Sequence, residues 1–477
     1  MTWKEVHLSV GPGFRRPSLA ASGLRLSASS SSVTTTTHYD TEDLRLASWQ
    51  CTLRRGPRSR WVVSVESRDV ETFRGDDEPP EAAVAFVAAY RRGRPLRPLV
   101  TLRTAQRVLT MEGDDLVTVR IDDERTETVG RPSGPPLRRL TVAAPRAARK
   151  QAATVVRLLR DAGAHADDAL PAALRVVALR APSPELPIPS VNQKSSVDET
   201  IRGALAASVT RLVRHDGPVR MGTDPEAVHQ ARVATRRLRS DLRTFAPLLE
   251  QHWVASLRAA LAELADDLGS VRDADVLLGG LSHDAEGVVD RRAADRVLAT
   301  LRASREADRA RLIEVMDSDA YVALLDRLVQ AATDPHVSAP RSDRASAVLP
   351  RLVHRAWRRL RRRVDALPAE PSDDQLHQVR IDAKRARYAA EAVAPAVGPS
   401  AERFAQAMAD LQTHLGDLHD AVVATQWLSD HAGSDDAASA AIGPMIELRK
   451  QRAAALRATW SDVWDGSSRK SLRRWMR

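Results

Sequence analysis

Two twelve-residue segments of this chain place cations where they could neutralise a string of negative charges. Val228–Arg239 reads VHQARVATRRLR, and Leu376–Arg387, 148 residues later, reads LHQVRIDAKRAR. The shared pattern is HQ-x-R-x3-[RK]-R-x-R. At about 100° per residue, with His229 at zero, Arg232 falls near 300°, Arg236 near 340°, Arg239 near 280° and Arg243 near 320°. That is one narrow cationic stripe, about 15 Å long from His229 to Arg239 at about 1.5 Å per residue. Ala231, Leu238, Leu242 and Phe245 fall on the opposite side, so one face packs while the other offers charge. His377, Arg380, Lys384 and Arg387 align in the same way, opposite Val379, Ala386, Ala390 and Val393. Such a stripe suits an extended polyanion better than one small phosphate.

A charged helix face is ordinarily solvated or threaded with i,i+4 pairs of opposite sign. Within these two segments no acidic residue falls on the stripe, and like charges three or four residues apart repel unless an anion neutralises them. A second match reinforces the duplication: Leu268-Gly269-Ser270-Val271-Arg272-Asp273-Ala274 pairs with Leu415-Gly416-Asp417-Leu418-His419-Asp420-Ala421 at an offset of 147. A histidine opens each stripe, where an imidazole can donate to a phosphate oxygen. Neither His-x2-Arg element offers a second ligand at i+4 or a cysteine pair, so no metal site is expected there. Asp273-Ala274-Asp275-Val276 has the form of a phosphoryl-transfer DxDx element, but its repeat partner lacks the second aspartate, and helix capping and positioning are the expected roles. No P-loop, no GxGxxG after a strand, no HExxH and no CxxC occur. Nucleotide, dinucleotide and zinc chemistry therefore find no support.

The elements that must hold these stripes divide the chain in two. Of 477 residues, 72 are Lys or Arg and 62 Asp or Glu, a net charge of +10, and only six of the cations are lysine. Residues 1–196 carry 30 basic against 22 acidic residues, +8, and residues 197–477 carry 42 against 40, +2, so position and not bulk charge must make the second half bind an anion. Arginine's planar fork pairs bidentately with phosphate oxygens. Val6–Val10, Trp61–Val65, Leu99–Leu102 and Leu116–Ile121 read as strands, and Glu81–Arg91 and Ala147–Ala162 as helices, the second stopped by Gly163. The first part is thus α+β. Ser27–Ser32 and Thr34–Thr37 form a polar low-complexity tract expected to be a mobile loop. Four prolines between 182 and 189 forbid a helix and favour an extended spacer, which sets domains at 1–180 and 197–477 joined by a linker at 181–196. From Val197 onward the chain reads as amphipathic helices, an all-α half with two repeats at about 197–335 and 343–477.

The single cysteine, Cys51, precludes an internal disulfide, no run of about 18 apolar residues occurs, and Met1–Val10 lacks the layout of a secretory signal. A cytoplasmic protein without membrane contact is expected. Nucleic acid is the rival polyanion, but neither stripe interleaves aromatic side chains for base stacking or places Asn or Gln between arginines for base-edge readout.

Residues 197–477 resemble the CHAD family, the conserved histidine α-helical domain, on the H-x2-R-x3-R-R-x-R helix and the LG-x2-RD element in both copies. The resemblance implies two pseudo-symmetric four-helix bundles whose basic helices face a central groove. It also implies binding of inorganic polyphosphate rather than catalysis; no cofactor is expected, and polyphosphate granules are a candidate partner on which the sequence is silent. The family's basic positions land on His229, Arg232, Arg236, Arg237, Arg239, Arg272, His377, Arg380, Lys384, Arg385 and Arg387.

The first half is similar to the CYTH family, a triphosphate tunnel built from an antiparallel β barrel, on His38–Ala47, Thr52–Arg55 and Trp61. That family's metal-binding ExExK reads here Trp3-Lys4-Glu5-Val6-His7, leaving Glu5 alone, and Leu140–Ala143 carries no carboxylate where the family has an acidic strand. A degenerate, non-catalytic tunnel is expected. The alternative is a metal-dependent inorganic triphosphatase that would hold Mg²⁺ or Mn²⁺ through Glu5 and other oxygen ligands. A third reading is an adaptor whose basic groove receives an acidic protein segment.

Overall fold

The computed structural model describes residues 3–11, 13–113, 118–130, 136–167, 175, 182–287, 290–338, 340–431 and 436–476. Leu116, Val117 and Ala181, named above, lie outside them. The chain forms two compact units, Met1–Glu185 and Leu186–Arg477. Among the described residues no helix is long and apolar enough to cross a membrane.

The first unit is a nine-stranded sheet of β1 (Trp3–Val10), β2 (Arg25–Asp40), β3 (Cys51–Gly56), β4 (Arg60–Val65), β5 (Arg68–Arg74), β6 (Arg97–Glu112), β7 (Thr118–Thr128), β8 (Leu137–Pro145) and β9 (His165–Ala166). Their order is β5-β4-β3-β2-β6-β7-β8-β1-β9, and the neighbours pair antiparallel. Helix α1 (Arg149–Asp161) buries Val155 and Leu159 with Leu8, Ile121 and Leu140 of the sheet, and Gly163 at φ +101° follows it. The helix expected over Glu81–Arg91 is two short pieces broken at Val87. The Ser/Thr tract corrects a second expectation. It is no loop but part of β2, paired in register with β6, for example Ser31 with Arg107 and Thr35 with Arg103. Threonine and valine favour extended backbone, and β6 satisfies that backbone from 70 residues away, which local polarity could not reveal. In the segment resembling the tunnel family, Asp40 ties the chain into a turn: its carboxylate accepts from the backbone N–H of Thr41 at 2.7 Å, Leu46 at 2.9 Å and Ala47 at 3.0 Å.

The second unit is helical: α2 (Val197–Met221), α3 (Pro225–Phe245), α4 (Gln251–Ala285), α5 (Arg291–Asp317), α6 (Asp319–Thr333), α7 (Pro350–Asp365), α8 (Asp373–Val397), α9 (Pro399–His431) and α10 (Asp436–Ser467). The two motif segments lie on α3 and α8. Helix α3 starts at Asp224, whose carboxylate accepts from the Glu226 N–H at 2.9 Å, with Pro225 in the first turn. Helix α8 starts with a capping box between Ser372 and Gln375. Every apolar position expected to pack is buried: Ala231, Leu238, Leu242 and Phe245 on α3, and Val379, Ala386, Ala390 and Val393 on α8. Within α7, Trp357 stacks on Trp464 at 5.5 Å and meets Phe404 edge-on at 5.8 Å, which fixes which face of that helix is left to solvent.

Candidate functional site

Packing the apolar faces of α3 and α8 into one core turns both stripes toward shared space. Helices α3 and α8 also touch directly, and Tyr388 of α8 carries the guanidinium groups of Arg236, Arg237 and Arg387 at 5.5, 5.8 and 5.6 Å from its ring centroid. Cations from both copies therefore gather on one aromatic face.

A pocket of about 470 Å³ forms beside this contact. It takes His229, Arg232, Arg236 and Arg272 from the first copy and Arg380 and His419 from the second. Arg449 and Arg452 of α10 join them, so six arginines face three aspartates, Asp273, Asp417 and Asp420, in the lining. Some of this charge is already answered. Arg232 donates to Asp273 at 2.6 Å, and Arg449 pairs with buried Asp284 across Gly280, where an added Cβ would lie 2.8 Å from its guanidinium. Arg236 and Arg380 each keep a buried Nε with no hydrogen-bond partner among the described residues. Such unsatisfied donors carry a desolvation cost that an anion's oxygens would remove.

Lys384 lies in the field of these arginines, without an ion pair among the described residues. Burial, then the charges of Arg236, Arg380, Arg232 and Arg243, lower its pKa to about 8. Burial first and neighbouring arginines second also lower Arg236, with Tyr388 opposing; Arg380 is lowered too, although Asp420 opposes the shift. The imidazoles respond alike. His229 is lowered by burial and Arg272, and His377 by burial, Arg380 and Lys384. His419 falls to about 4 through burial, Arg380 and His377. Its Nδ1 lies 3.1 Å from that of His377, a contact that requires at least one neutral ring.

Toward the C-terminal end of α3 the cations continue. Burial, then Arg258, Arg385, Arg239 and Arg359, lower Arg243 to about 10. The one carboxylate described within this cluster's ion pairs is Asp382, 1% exposed as a side chain, which accepts from Arg363 at 2.6 Å and Arg385 at 2.7 Å and pairs with Arg359 at 3.0 Å. Burial alone would raise Asp382, but the hydrogen bonds from Arg363 and Arg385 and the charges of Arg359 and Arg363 hold it below the usual carboxylate range.

The structure thus gathers His229, Arg232, Arg236, Arg272 and Arg380 in one pocket, sets Lys384 in their field, and places Arg239 and Arg385 in the adjoining cluster. His377 packs on His419. Arg237 and Arg387 behave differently: both pair with Glu391, Arg387 at 2.7 Å, so they brace α3 against α8. The stripes are consequently less free of acid than their own segments suggest, because Asp273 and Glu391 reach them from elsewhere. Asp273, Asp275 and Asp420 are corrected too. All three lie inside helices and cap none; Asp273 holds Arg232, and Asp275 accepts from Arg305 at 2.5 Å. Sequence reasoning missed Arg258, Arg359, Arg449 and Arg452. The first lies outside the repeated motifs, and the others sit on helices whose contacts only folding creates.

In the first unit the sheet register puts His7, Thr141 and Asp122 in one row across β1, β8 and β7, with His7 Nδ1 3.0 Å from the Thr141 hydroxyl. Glu5 and Glu124 share that face two residues away on their strands. Burial, with Asp122 adding to it against Arg139, raises Glu124. An acidic strand is thus present, on β7 and not at Leu140–Ala143 where it was sought. These groups do not fit a divalent ion: among the described residues no three of His, Cys, Asp and Glu converge as a metal ligand set.

Comparison with known proteins gives this geometry a context. The CHAD domain family model matches residues 203–429. An uncharacterised protein of Mycobacterium tuberculosis is 28% identical over 437 residues, covering 83% of this chain and 81% of its own. The crystal structure of the CHAD domain from the plant Ricinus communis covers 59% of this chain and 95% of its own at TM-score 0.50 and 23% identity, which shows a shared fold. PptA from Streptomyces chartreusis covers 57% of this chain and 100% of its own at TM-score 0.49 and 24% identity. A Hippeastrum protein described as having a dominant triphosphatase activity covers 38% of this chain and 98% of its own at TM-score 0.21 and 12% identity, too slight a likeness to carry an argument. The match to the CHAD domain family, residues 203–429, lies wholly within the helical unit Leu186–Arg477.

Proposed function

We propose that this protein binds inorganic polyphosphate, without catalysis, in the pocket and cluster between α3 and α8, and that it does so in the cytoplasm and on polyphosphate granules. The observation that carries the reading is the convergence of Arg232, Arg236 and Arg380 on one space, with two arginine Nε atoms unpartnered among the described residues and, in the field of these arginines, Lys384, whose proton is held weakly. Charges crowded at such a cost in desolvation and repulsion are stabilised by a flexible, densely charged anion. His229, Arg232, Arg236, Arg272, Arg380 and Lys384 contact the phosphates in this reading, and Arg239 and Arg385 extend the contact. Arg237 and Arg387 hold the two helices together through Glu391, and His377 positions His419. The lining favours the same ligand, since it holds six arginines and no Phe, Tyr or Trp on which bases could stack.

Calorimetry with the full chain tests the proposal. Long-chain polyphosphate is titrated at two salt concentrations, alongside double-stranded DNA of equal phosphate content. Tight, strongly salt-dependent binding that prefers polyphosphate and is lost in Arg232→Ala/Arg236→Ala/Arg239→Ala is the expected result. Equal affinity for DNA, or an unaffected triple variant, overturns it. Release of phosphate from tripolyphosphate with Mg²⁺ or Mn²⁺, abolished by Glu5→Ala, would instead place an activity in the first unit.

A further inference from the structure

Helix α7 carries a second arginine stripe outside the pocket, and its setting differs between the two copies. Counting about 100° per residue from Arg351, Arg355 falls near 40°, Arg358 near 340° and Arg362 near 20°, a row about 17 Å long. All four are exposed. Leu352, Val353, Trp357 and Leu360 are buried on the other side, so the row is the solvent face of a helix anchored by its core face. Among the described residues Arg351, Arg355 and Arg358 have no ion-pair partner, and Arg362 donates back to the Arg358 carbonyl at 3.3 Å. The acids nearby are engaged or peripheral: Asp365 pairs with Arg361 at 3.3 Å, and Asp374 lines a groove below the row.

The corresponding helix of the first copy is α2, aligned by its buried Leu205, Val209 and Leu212 opposite Val353, Trp357 and Leu360. There Gly203, Ala207 and Thr210 stand where α7 has Arg351, Arg355 and Arg358. Val191 of the linker lies over Gly203, so close that a Cβ would meet it at 2.8 Å, and Thr210 is buried. The first copy therefore carries one cation on this face, the exposed Arg214 opposite Arg362, with Gly203 and Thr210 buried and Ala207 exposed, whereas the second carries four arginines.

The bare row joins the site. Arg359, one residue along, belongs to the Asp382 cluster beside Arg243 and Arg385, and with Arg362 and Arg363 it lines the groove of about 640 Å³ between α7 and the start of α8. Lys384 feels the charges of Arg236, Arg380 and Arg243, Arg243 that of Arg359, and Arg359 shares its groove with Arg362 of the outer row, so neighbouring cations link the pocket to the row. We infer that a long polyphosphate leaves the pocket on this side only and lies along Arg351, Arg355, Arg358 and Arg362, which makes the site directional and selective for chain length. This inference rests on the polyphosphate reading of the pocket. Duplex DNA is the competing polyanion, and titration with it distinguishes the two occupants.

The full-length protein, Arg351→Gln/Arg355→Gln/Arg358→Gln/Arg362→Gln and Arg232→Gln/Arg236→Gln are titrated with three probes. These are a short polyphosphate spanning no more than the about 15 Å inner stripe, one several times longer, and duplex DNA. The outer variant is expected to keep its short-chain affinity, to lose long-chain affinity about tenfold or more, and to flatten the slope of log affinity against log salt by about 3, at about 0.7 for each neutralised phosphate. Unchanged long-chain affinity and slope overturn the inference, as does equal loss for both lengths or loss confined to DNA. The inner variant separates the two claims, because its retention of short-chain binding refutes the polyphosphate reading itself. Circular dichroism melting of both variants confirms that the helices remain folded.

Discussion

Replacing Lys384 with glutamine should make the protein more stable and its polyanion binding weaker at once. Lys384 lies half-buried on α8 with no ion pair among the described residues, and burial together with Arg236, Arg380, Arg232 and Arg243 brings its pKa from 10.5 to about 8. At about 1.4 kcal/mol per pH unit this shift represents about 3 kcal/mol against the charged form, and partial solvent access reduces the usable part to about 1–3 kcal/mol. Glutamine keeps the length and removes the charge, so the melting temperature should rise by about 2–4 °C for each kcal/mol regained. The pH dependence has a definite sign. Between about 8 and 10.5 the unfolded chain holds a proton that the folded chain has released, so wild-type stability rises with pH through that window. In Lys384→Gln that rise should disappear. Phosphate contacts restore the proton, so wild-type protein should take up a fraction of a proton on binding polyphosphate near pH 8, seen by calorimetry in buffers of different ionisation enthalpy. Loss of one charge-assisted contact, worth about 1.5–3 kcal/mol, should weaken binding by about 10- to 100-fold. A variant that is less stable, binds as tightly, and takes up the same proton would refute the account of the pocket as strained by its own charge.

Asp273→Asn should release Arg232 from its 2.6 Å ion pair and strengthen polyphosphate binding several-fold, measured by calorimetry at fixed salt. Affinity should grow as pH falls into the range where the depressed histidines take up protons, and His229→Gln should reduce that growth, since His229 lines the pocket and feels the charges of Arg272 from α4 and of Arg236 and Arg232 on its own helix. Trp357→Ala should cost about 3–5 kcal/mol of stability in chemical denaturation, because the side chain is 2% exposed and its loss empties the contact with Trp464 and Phe404.

Much of this molecule is written in short-range pattern. The 3.6-residue spacing of Ala231, Leu238, Leu242 and Phe245, and of Val379, Ala386, Ala390 and Val393, determined two amphipathic helices and the side of each that would be buried, because helix geometry alone converts spacing into direction. The same spacing determined that His229, Arg232 and Arg236, and likewise Arg380 and Lys384, would share a face. The repeat made both helices legible as one design used twice. What the pattern could not contain was partnership across sequence. The β2 tract looked like a polar loop until β6 paired with it along its length, and the acids on β7 became neighbours of His7 and Thr141 only through the sheet register.

Tertiary structure likewise decided which cations remain available. Arg237 and Arg232 are alike in type and close on the chain, yet Glu391 of α8 takes the first and Asp273 of α4 the second, while Arg236 between them keeps a bare Nε. The physical reason is range. A helix periodicity acts over a few residues and sets direction, whereas an ion pair or a shared field acts over a few ångströms between residues that may be 40 or 150 positions apart. The sequence by itself determined where the charges point, and the packing of α3 on α8 determined which of them face one another unpaired.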